Sequence, residues 1–241
     1  MSARQAGVVL LTTWLAACNT MGSVPEQQRF NRGDPRRGSV EQSANTTPSG
    51  IERRDPVLLR IIKEDHELEL WRQHRDGNWV LAKTYPICRF SGELGPKRRF
   101  ADRQAPEGFY TLTKSNLNPF SKEHLSINTG YPNELDRNWH YTGGDVMIHG
   151  GCSSAGCYAM TDAAMEEIYA SVRDALQAGQ ASVQLQIYPF RMSDWRMISM
   201  KNDKNHAFWL ELKRGWDWFE AHKAPIPVTI SGRDYLVPES R

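Results

Sequence analysis

Long apolar runs are nearly absent from this sequence. Residues 6–17 (AGVVLLTTWLAA) form the only one, and it is too short to span a bilayer. An excess of one charge is missing too: 30 Lys and Arg against 28 Asp and Glu leave a net charge of +2. No basic cluster is interleaved with aromatics, so the electrostatic footprint of a nucleic-acid binder is absent. No internal repeat recurs, which excludes a solenoid. Cysteine is scarce, with four in 241 residues, and none has the Cys-x-x-Cys pairing of structural zinc sites. What is present is an ordinary globular composition, 39% hydrophobic and 24% charged, long enough for one domain plus extras.

The apolar run follows a short, weakly basic start, Met1 to Gln5, which is the layout of a secretory signal. It ends in Leu15-Ala16-Ala17-Cys18, which resembles the bacterial lipobox. The resemblance implies that residues 1–18 are a lipoprotein signal peptide and that Cys18 is acylated, giving a firm membrane anchor. Asn19 in place of Asp implies the outer membrane, facing the periplasm. Residues 19–55 are rich in Ser, Gly, Pro, Asn, Gln and Arg. They have almost nothing to bury and read as a disordered tether. With Cys18 lipidated, Cys88, Cys152 and Cys157 remain in an oxidising compartment. An odd count leaves at least one thiol unpaired. Whether Cys88 and Cys152 pair is open at this level.

From Pro56 the pattern changes. Residues 57–62 (VLLRII) predict a buried strand, and 66–71 (HELELW) alternate with the period of a half-buried one. Asp76-Gly77 turns the chain into a partner strand at 79–85, so the folded part opens as a β-meander. Residues 90–103 form a polar, Gly-containing loop, and 109–113, 125–128 and 145–148 read as short strands. Thr161-Asp162 caps a helix whose apolar stripe (Met165, Ile168, Tyr169, Val172, Leu176) runs to Gly179. A strand at 182–188, a helix at 206–222 and a closing hairpin at 228–237 follow. The fold class is mainly β (α+β) with two substantial helices, arranged as a main domain at 56–190 and a packed C-terminal helical and hairpin extension at 191–241.

One segment carries chemistry: His149-Gly150-Gly151-Cys152-Ser153-Ser154-Ala155-Gly156-Cys157. An imidazole close to a thiol is the usual device for generating a thiolate nucleophile near neutral pH. Cys157 follows Ser-x-Gly and is the candidate nucleophile; Cys152 lacks that context. His149, at the end of a short strand feeding the loop, is the candidate general base. Gly156 lets the backbone turn sharply beneath the sulfur. The N–H groups of Cys157 and of a neighbour, Gly156 or Tyr158, are candidate oxyanion donors. Zinc is the rival reading, with His149, Cys152 and Cys157 as ligands and His140 as a candidate fourth.

These residues, together with Pro106-Glu107-Gly108-Phe109 and the strings LSINTGYPNELDRN, MIHGGCSSAGCYAMTD and IYPFRM, resemble the YkuD-type L,D-transpeptidase domain of bacterial cell-wall enzymes, in its YafK-like branch. The likeness covers roughly residues 57–225. It implies a β-sandwich or barrel and no cofactor. It also implies peptidoglycan stem peptides as partners and acyl transfer through a Cys157 thioester at the L-centre carbonyl of meso-diaminopimelate. The His of the wider Ser-His-Gly-Cys pattern is Ala155 here, and the Arg usual two residues after the Cys is Ala159, as fits that branch. In the branch, hydrolysis of a lipoprotein–peptidoglycan link competes with transfer, so a peptidoglycan-linked lipoprotein is a second candidate partner. A non-catalytic or zinc-binding cell-wall lipoprotein is the alternative reading.

The substrate-binding candidates are Arg103, from the basic loop Lys97-Arg98-Arg99…Arg103, as a clamp for a stem carboxylate; Ser154, which otherwise caps the turn; Tyr158; and Tyr131, which with Asn133 and Asp136 enters only through the matching family segment.

Overall fold

A strand that is apolar at nearly every position has to be covered on both sides. Residues 57–62 meet that demand: all six are buried. In the computed structural model, which describes residues 50–239, the elements are β1 (Val57–Ile62), β2 (Glu67–Gln73), β3 (Trp79–Pro86), β4 (Gly108–Leu112), β5 (Leu117–Asn118), β6 (Ser126–Asn128), α1 (Glu134–Asn138), β7 (Met147–His149), β8 (Tyr158–Ala159), α2 (Asp162–Gln177), β9 (Val183–Tyr188), α3 (Asp194–Ser199), α4 (His206–His222), β10 (Thr229–Ser231) and β11 (Asp234–Leu236). The larger sheet has the order β3-β2-β1-β9-β4, with β1 at its centre; the smaller has the order β5-β6-β7-β8. β1 and β9 are parallel and the other pairs of the larger sheet antiparallel.

The two faces of β1 look into two cores. Val57, Leu59 and Ile61 pack with Ile127 and Ile148 of the smaller sheet and with the apolar stripe of α2. Leu58 and Ile62 pack with Phe109 and Tyr188, with Trp209, Leu212 and Phe219 of α4, and with Tyr235 of β11. Trp209, Leu212 and Phe219 of α4 and Tyr235 of β11 therefore cover the second face. Each large side chain fully buried this way contributes about 1.5–3 kcal/mol. Arg60 shares that second face, 1% exposed. It is tolerated because its guanidinium lies 4.0 Å from the Phe219 ring centroid and 4.6 Å from that of Trp216, and bonds to Gln186 and Glu220 at 3.2 and 3.0 Å.

The meander, the two long helices and the closing hairpin lie where the sequence predicts them. Residues just before Pro56 are held against β2. Arg72 Nη1 donates to the carbonyls of Glu52, Arg53 and Asp55 at 3.4, 2.9 and 3.3 Å, which ties down the end of the expected tether. The signal segment, Cys18 and tether residues 19–49 lie outside the described residues. α1, α3, β5 and β8 were not anticipated; each has between two and six residues, too few for a period to show.

Candidate active site

The smaller sheet places the reactive residues. β7 and β8 are parallel, with Ile148 opposite Tyr158 and His149 opposite Ala159. One step back, that register sets Cys157 beside Met147. The Met147 N–H indeed points at Cys157 Sγ, 3.4 Å away. Side chains two apart on a strand share a face, and so do residues opposed across a pair. Cys157 and His149 therefore leave the same face of the β7–β8 pair. Both line one cavity of about 630 Å³, closed on its far side by Asn118, Phe120, Lys122 and Glu123.

Parallel strands normally need a crossover of a dozen or more residues. Here the eight residues 150–157 suffice because the loop is held at many points. The N–H of Gly150 donates to Leu125 O (3.2 Å), that of Gly151 to Asp162 Oδ1 (2.8 Å) and that of Cys152 to Met160 O (3.1 Å). Cys152 is bonded to Cys88, with Cα atoms 5.2 Å apart. Gly150 is required by space, since a Cβ there would come within 2.5 Å of Asp162 Oδ1. Gly156 is required by backbone conformation, with φ +128°.

The disulfide decides the cysteine allocation left open by the sequence. Cys157 is the free thiol among the described residues, and it is half-buried. It also removes Cys152 as a thiolate, so the His149/Cys152/Cys157 zinc set does not exist in this molecule. Burial pushes the Cys157 thiol up. The Met147 N–H and Lys97 oppose that, and Asp145 and Glu123 add to it. The sulfur is thus mostly protonated at rest and needs a base when it attacks. His149, 5% exposed, sits with Nδ1 2.6 Å from Gly150 O. A carbonyl only accepts, so Nδ1 is the donor, and in the neutral ring Nε2 is the nitrogen that can take up a proton.

Of the predicted substrate-binding residues, Ser154 lines the same cavity, and Arg103, Tyr131 and Tyr158 do not. Ser154 caps the turn: its hydroxyl donates to Cys157 O (2.7 Å) and accepts from the N–H groups of Cys157 (2.9 Å) and Gly156 (3.3 Å). That saturates a hydroxyl. Ser154 thus meets the cavity with its hydroxyl already engaged, and the N–H groups of Cys157 and Gly156, two of the three candidate oxyanion donors, face it. Tyr158 is fully buried, its hydroxyl donating to Pro106 O at 2.6 Å. It points away from the cavity because it is one residue out of phase with Cys157. Tyr131 is also buried, its hydroxyl 3.3 and 3.2 Å from the carbonyls of Lys97 and Thr142. Arg103 brings its backbone to 3.8 Å from where a Gly156 Cβ would be, but its exposed side chain is not part of the cavity wall. Lys97 is buried against Asp102, whereas Arg98, bonded to Asn205, and Arg99 are exposed and lie outside the cavity wall. Asn133 caps α1 and bonds to Phe109 O (2.9 Å) and Tyr235 Oη (2.7 Å). Asp136 lies beneath it, its carboxyl pushed up to about 6 by burial. The residues missed are those of the 118–123 wall. Phe120 among them is highly exposed, a feature only the folded chain shows.

Two mixed sheets with helices against both faces of the larger one make this an α+β protein of the L,D-transpeptidase-like fold. The model of the family described as YkuD, L,D-transpeptidase catalytic domain, matches residues 57–208. The chain is 42% identical over 205 residues, 83% of each chain, to YafK of Escherichia coli strain K12, whose name places it provisionally among the L,D-transpeptidases. The chain belongs to the YkuD family of L,D-transpeptidase catalytic domains. Among solved structures, it is similar to the helical cell shape determining protein Pgp2 of Campylobacter jejuni (22% identity, TM-score 0.46, 70% of this chain and 59% of that one). It is also similar to L,D-transpeptidase 1 of Mycobacterium tuberculosis (12% identity, TM-score 0.31, 56% of this chain and 62% of that one). It thus spans less than two thirds of either solved chain, and both are too distant to inform the site.

Proposed function

We propose that this protein is a peptidoglycan acyl-transfer enzyme working through a thioester on Cys157. The observation that carries the reading is the shared cavity: the free thiol opens into the space lined by a histidine whose Nδ1–H is held by Gly150 O. His149 Nε2 takes the thiol proton as Sγ attacks the amide carbonyl at the L-centre of meso-diaminopimelate. The C–N bond breaks, the leaving amine takes the proton back, and the acyl group stays on sulfur. An amine acceptor then resolves the thioester as transpeptidation, or water resolves it as hydrolysis of a stem or of a lipoprotein–peptidoglycan link. In each case the acceptor gives its proton to His149 and the sulfur leaves as thiolate. The tetrahedral oxyanion needs donors. Rotation of Ser154 away from the turn releases the Gly156 and Cys157 N–H groups for it.

Incubation with defined muropeptides, with and without an amine acceptor, read by mass spectrometry, tests this. An acyl adduct on the intact protein, lost in Cys157→Ala and His149→Ala, is the expected result. Unimpaired turnover by Cys157→Ala would end the reading. We further infer that Cys18 is lipidated and anchors the enzyme in the outer membrane facing the periplasm. Its support is the lipobox-like LAAC, and radiolabelled palmitate should be incorporated into the wild type and not into Cys18→Ser.

A further inference from the structure

Ser126 is fully buried, yet its hydroxyl has no hydrogen-bond partner. Such groups are rare, because a hydroxyl taken out of water and left unpaired destabilises the fold. Thr129, just past the end of the same strand, shows the ordinary solution: its hydroxyl donates to Val146 O at 2.9 Å. Ser126 has no such arrangement, and its place in the sheet gives a reason.

β6 and β7 are antiparallel, and Ser126 stands directly opposite His149. Two backbone bonds fix the kind of pair: Gly150 N–H to Leu125 O (3.2 Å) and Thr129 N–H to Val146 O (2.8 Å). They flank the opposed residues rather than join them, so Ser126–His149 is a non-hydrogen-bonded pair. That is the closer of the two kinds, with Cα atoms about 4.5 Å apart and both side chains on one face. Cys157 leaves the same face on the other side of β7. His149 thus stands between the thiol and an uncommitted hydroxyl. Ser126 takes no part in lining the cavity, so it acts through the histidine and not on substrate.

We propose that Ser126 is a positioning residue for His149, holding the ring and meeting the positive charge that appears on it during proton transfer. The proposal rests on the reading of His149 as the base. The neutral ring already has Nδ1–H on Gly150 O. When Nε2 takes the thiol proton, the buried ring becomes a cation. A hydroxyl with no fixed partner turns about its Cβ–Oγ bond and presents a lone pair to that cation; no other atom moves. A hydroxyl tied to a carbonyl, as that of Thr129 is, does not have this freedom. The charged or titratable groups around the ring are Cys157, Lys122 and Glu123 in the cavity, Asp162 on the Gly151 N–H, and the His124–Glu166 pair next to Gly150. Replacing Ser126 changes none of them.

The test compares wild type, Ser126→Ala, Ser126→Thr and His149→Ala in acyl-enzyme formation with a defined muropeptide across pH, beside thermal melts. Ser126→Ala should acylate about tenfold more slowly at its plateau, with KM unchanged. The acid limb of its rate profile should move about one pH unit lower, since a less stabilised cation loses its proton more readily. Ser126→Thr, which keeps the hydroxyl, should restore the position of that limb. The melting temperature of Ser126→Ala should hold or rise, because an orphan group has been removed; a merely structural serine would lower it. A wild-type rate and limb in Ser126→Ala, with His149→Ala inactive, overturns this proposal alone. An active His149→Ala overturns the assignment of the base beneath it.

Discussion

The turn beneath the nucleophile can be perturbed with one methyl group. Gly156 has φ +128°, a region that L residues rarely adopt. Space is not the constraint there: the nearest atoms to a built Cβ are the Arg103 carbonyl carbon and Cα at 3.8 Å and Gln104 O at 4.0 Å, ordinary contacts. Gly156→Ala thus adds conformational strain and little else, of order 1–3 kcal/mol. The chain has two ways to respond. If it keeps the turn, the whole strain appears as lost stability, a fall in melting temperature of roughly 2–12 °C for a domain of this size. If it releases the strain by turning φ negative, stability is spared, but Cys157 moves relative to Met147 and His149. A displacement of about 1 Å at a reacting atom costs about 100-fold in rate. Thermal melts and the rate of acyl-enzyme formation, measured on the same preparation, should therefore show a loss in one, the other or both. A Gly156→Ala protein that melts and acylates like the wild type would show that the turn does not hold the sulfur as described.

Three further outcomes are expected. The Asp136 carboxyl, at about 6 in the folded protein against 3.8 for a free one, holds its proton more tightly folded than unfolded. Its contribution to stability is full below about pH 4 and is lost as pH rises through 6, a change of about 3 kcal/mol. Urea melts of Asp136→Asn should therefore gain on the wild type between pH 4 and 7, and parallel curves would refute the assignment. Because burial pushes the Cys157 thiol up, its alkylation by iodoacetamide should have a midpoint above the value of about 8.5 for a free thiol; a midpoint below 7 would mean a resting thiolate–imidazolium pair instead. The Cys88–Cys152 bond closes a 64-residue separation. Replacing both cysteines by serine should cost about 2–4 kcal/mol of stability and slow acylation, since Cys152 belongs to the catalytic loop; equal acylation rates would show that the loop does not depend on the bridge.

What could be read from the sequence follows the range of the forces involved. The meander and α2 announce themselves through period and cap, Thr161 accepting from Ala164 N as expected. The His149–Cys157 loop is legible because its members lie within nine residues. Tyr158 lies in the core and not in the cavity, as the period of two requires of the residue after Cys157. Tyr131 and Ser154 are polar and sit in family segments, but only the folded chain shows that their hydroxyls are already used. The 118–123 wall had no local signal for its partners. It reaches the thiol only through the β5–β6–β7 register, a long-range pairing.

The same limit applies behind the nucleophile. Lys63 is fully buried, and its ammonium lies 2.8–3.1 Å from the carbonyls of Glu93, Gly95 and Ala105 and 2.9 Å from Glu107. Burial lowers its pKa and Glu107 counters that. Removing either partner would leave a buried charge unpaired, a loss of about 3–5 kcal/mol. This one ammonium gathers three carbonyls of the 93–105 loop, and Arg103 in that loop backs Gly156. A lysine just past the end of β1 thereby fixes the floor of a turn more than ninety residues away. Nothing near Lys63 in sequence marks it as part of the site, because its role is only to hold one loop still while another carries the sulfur.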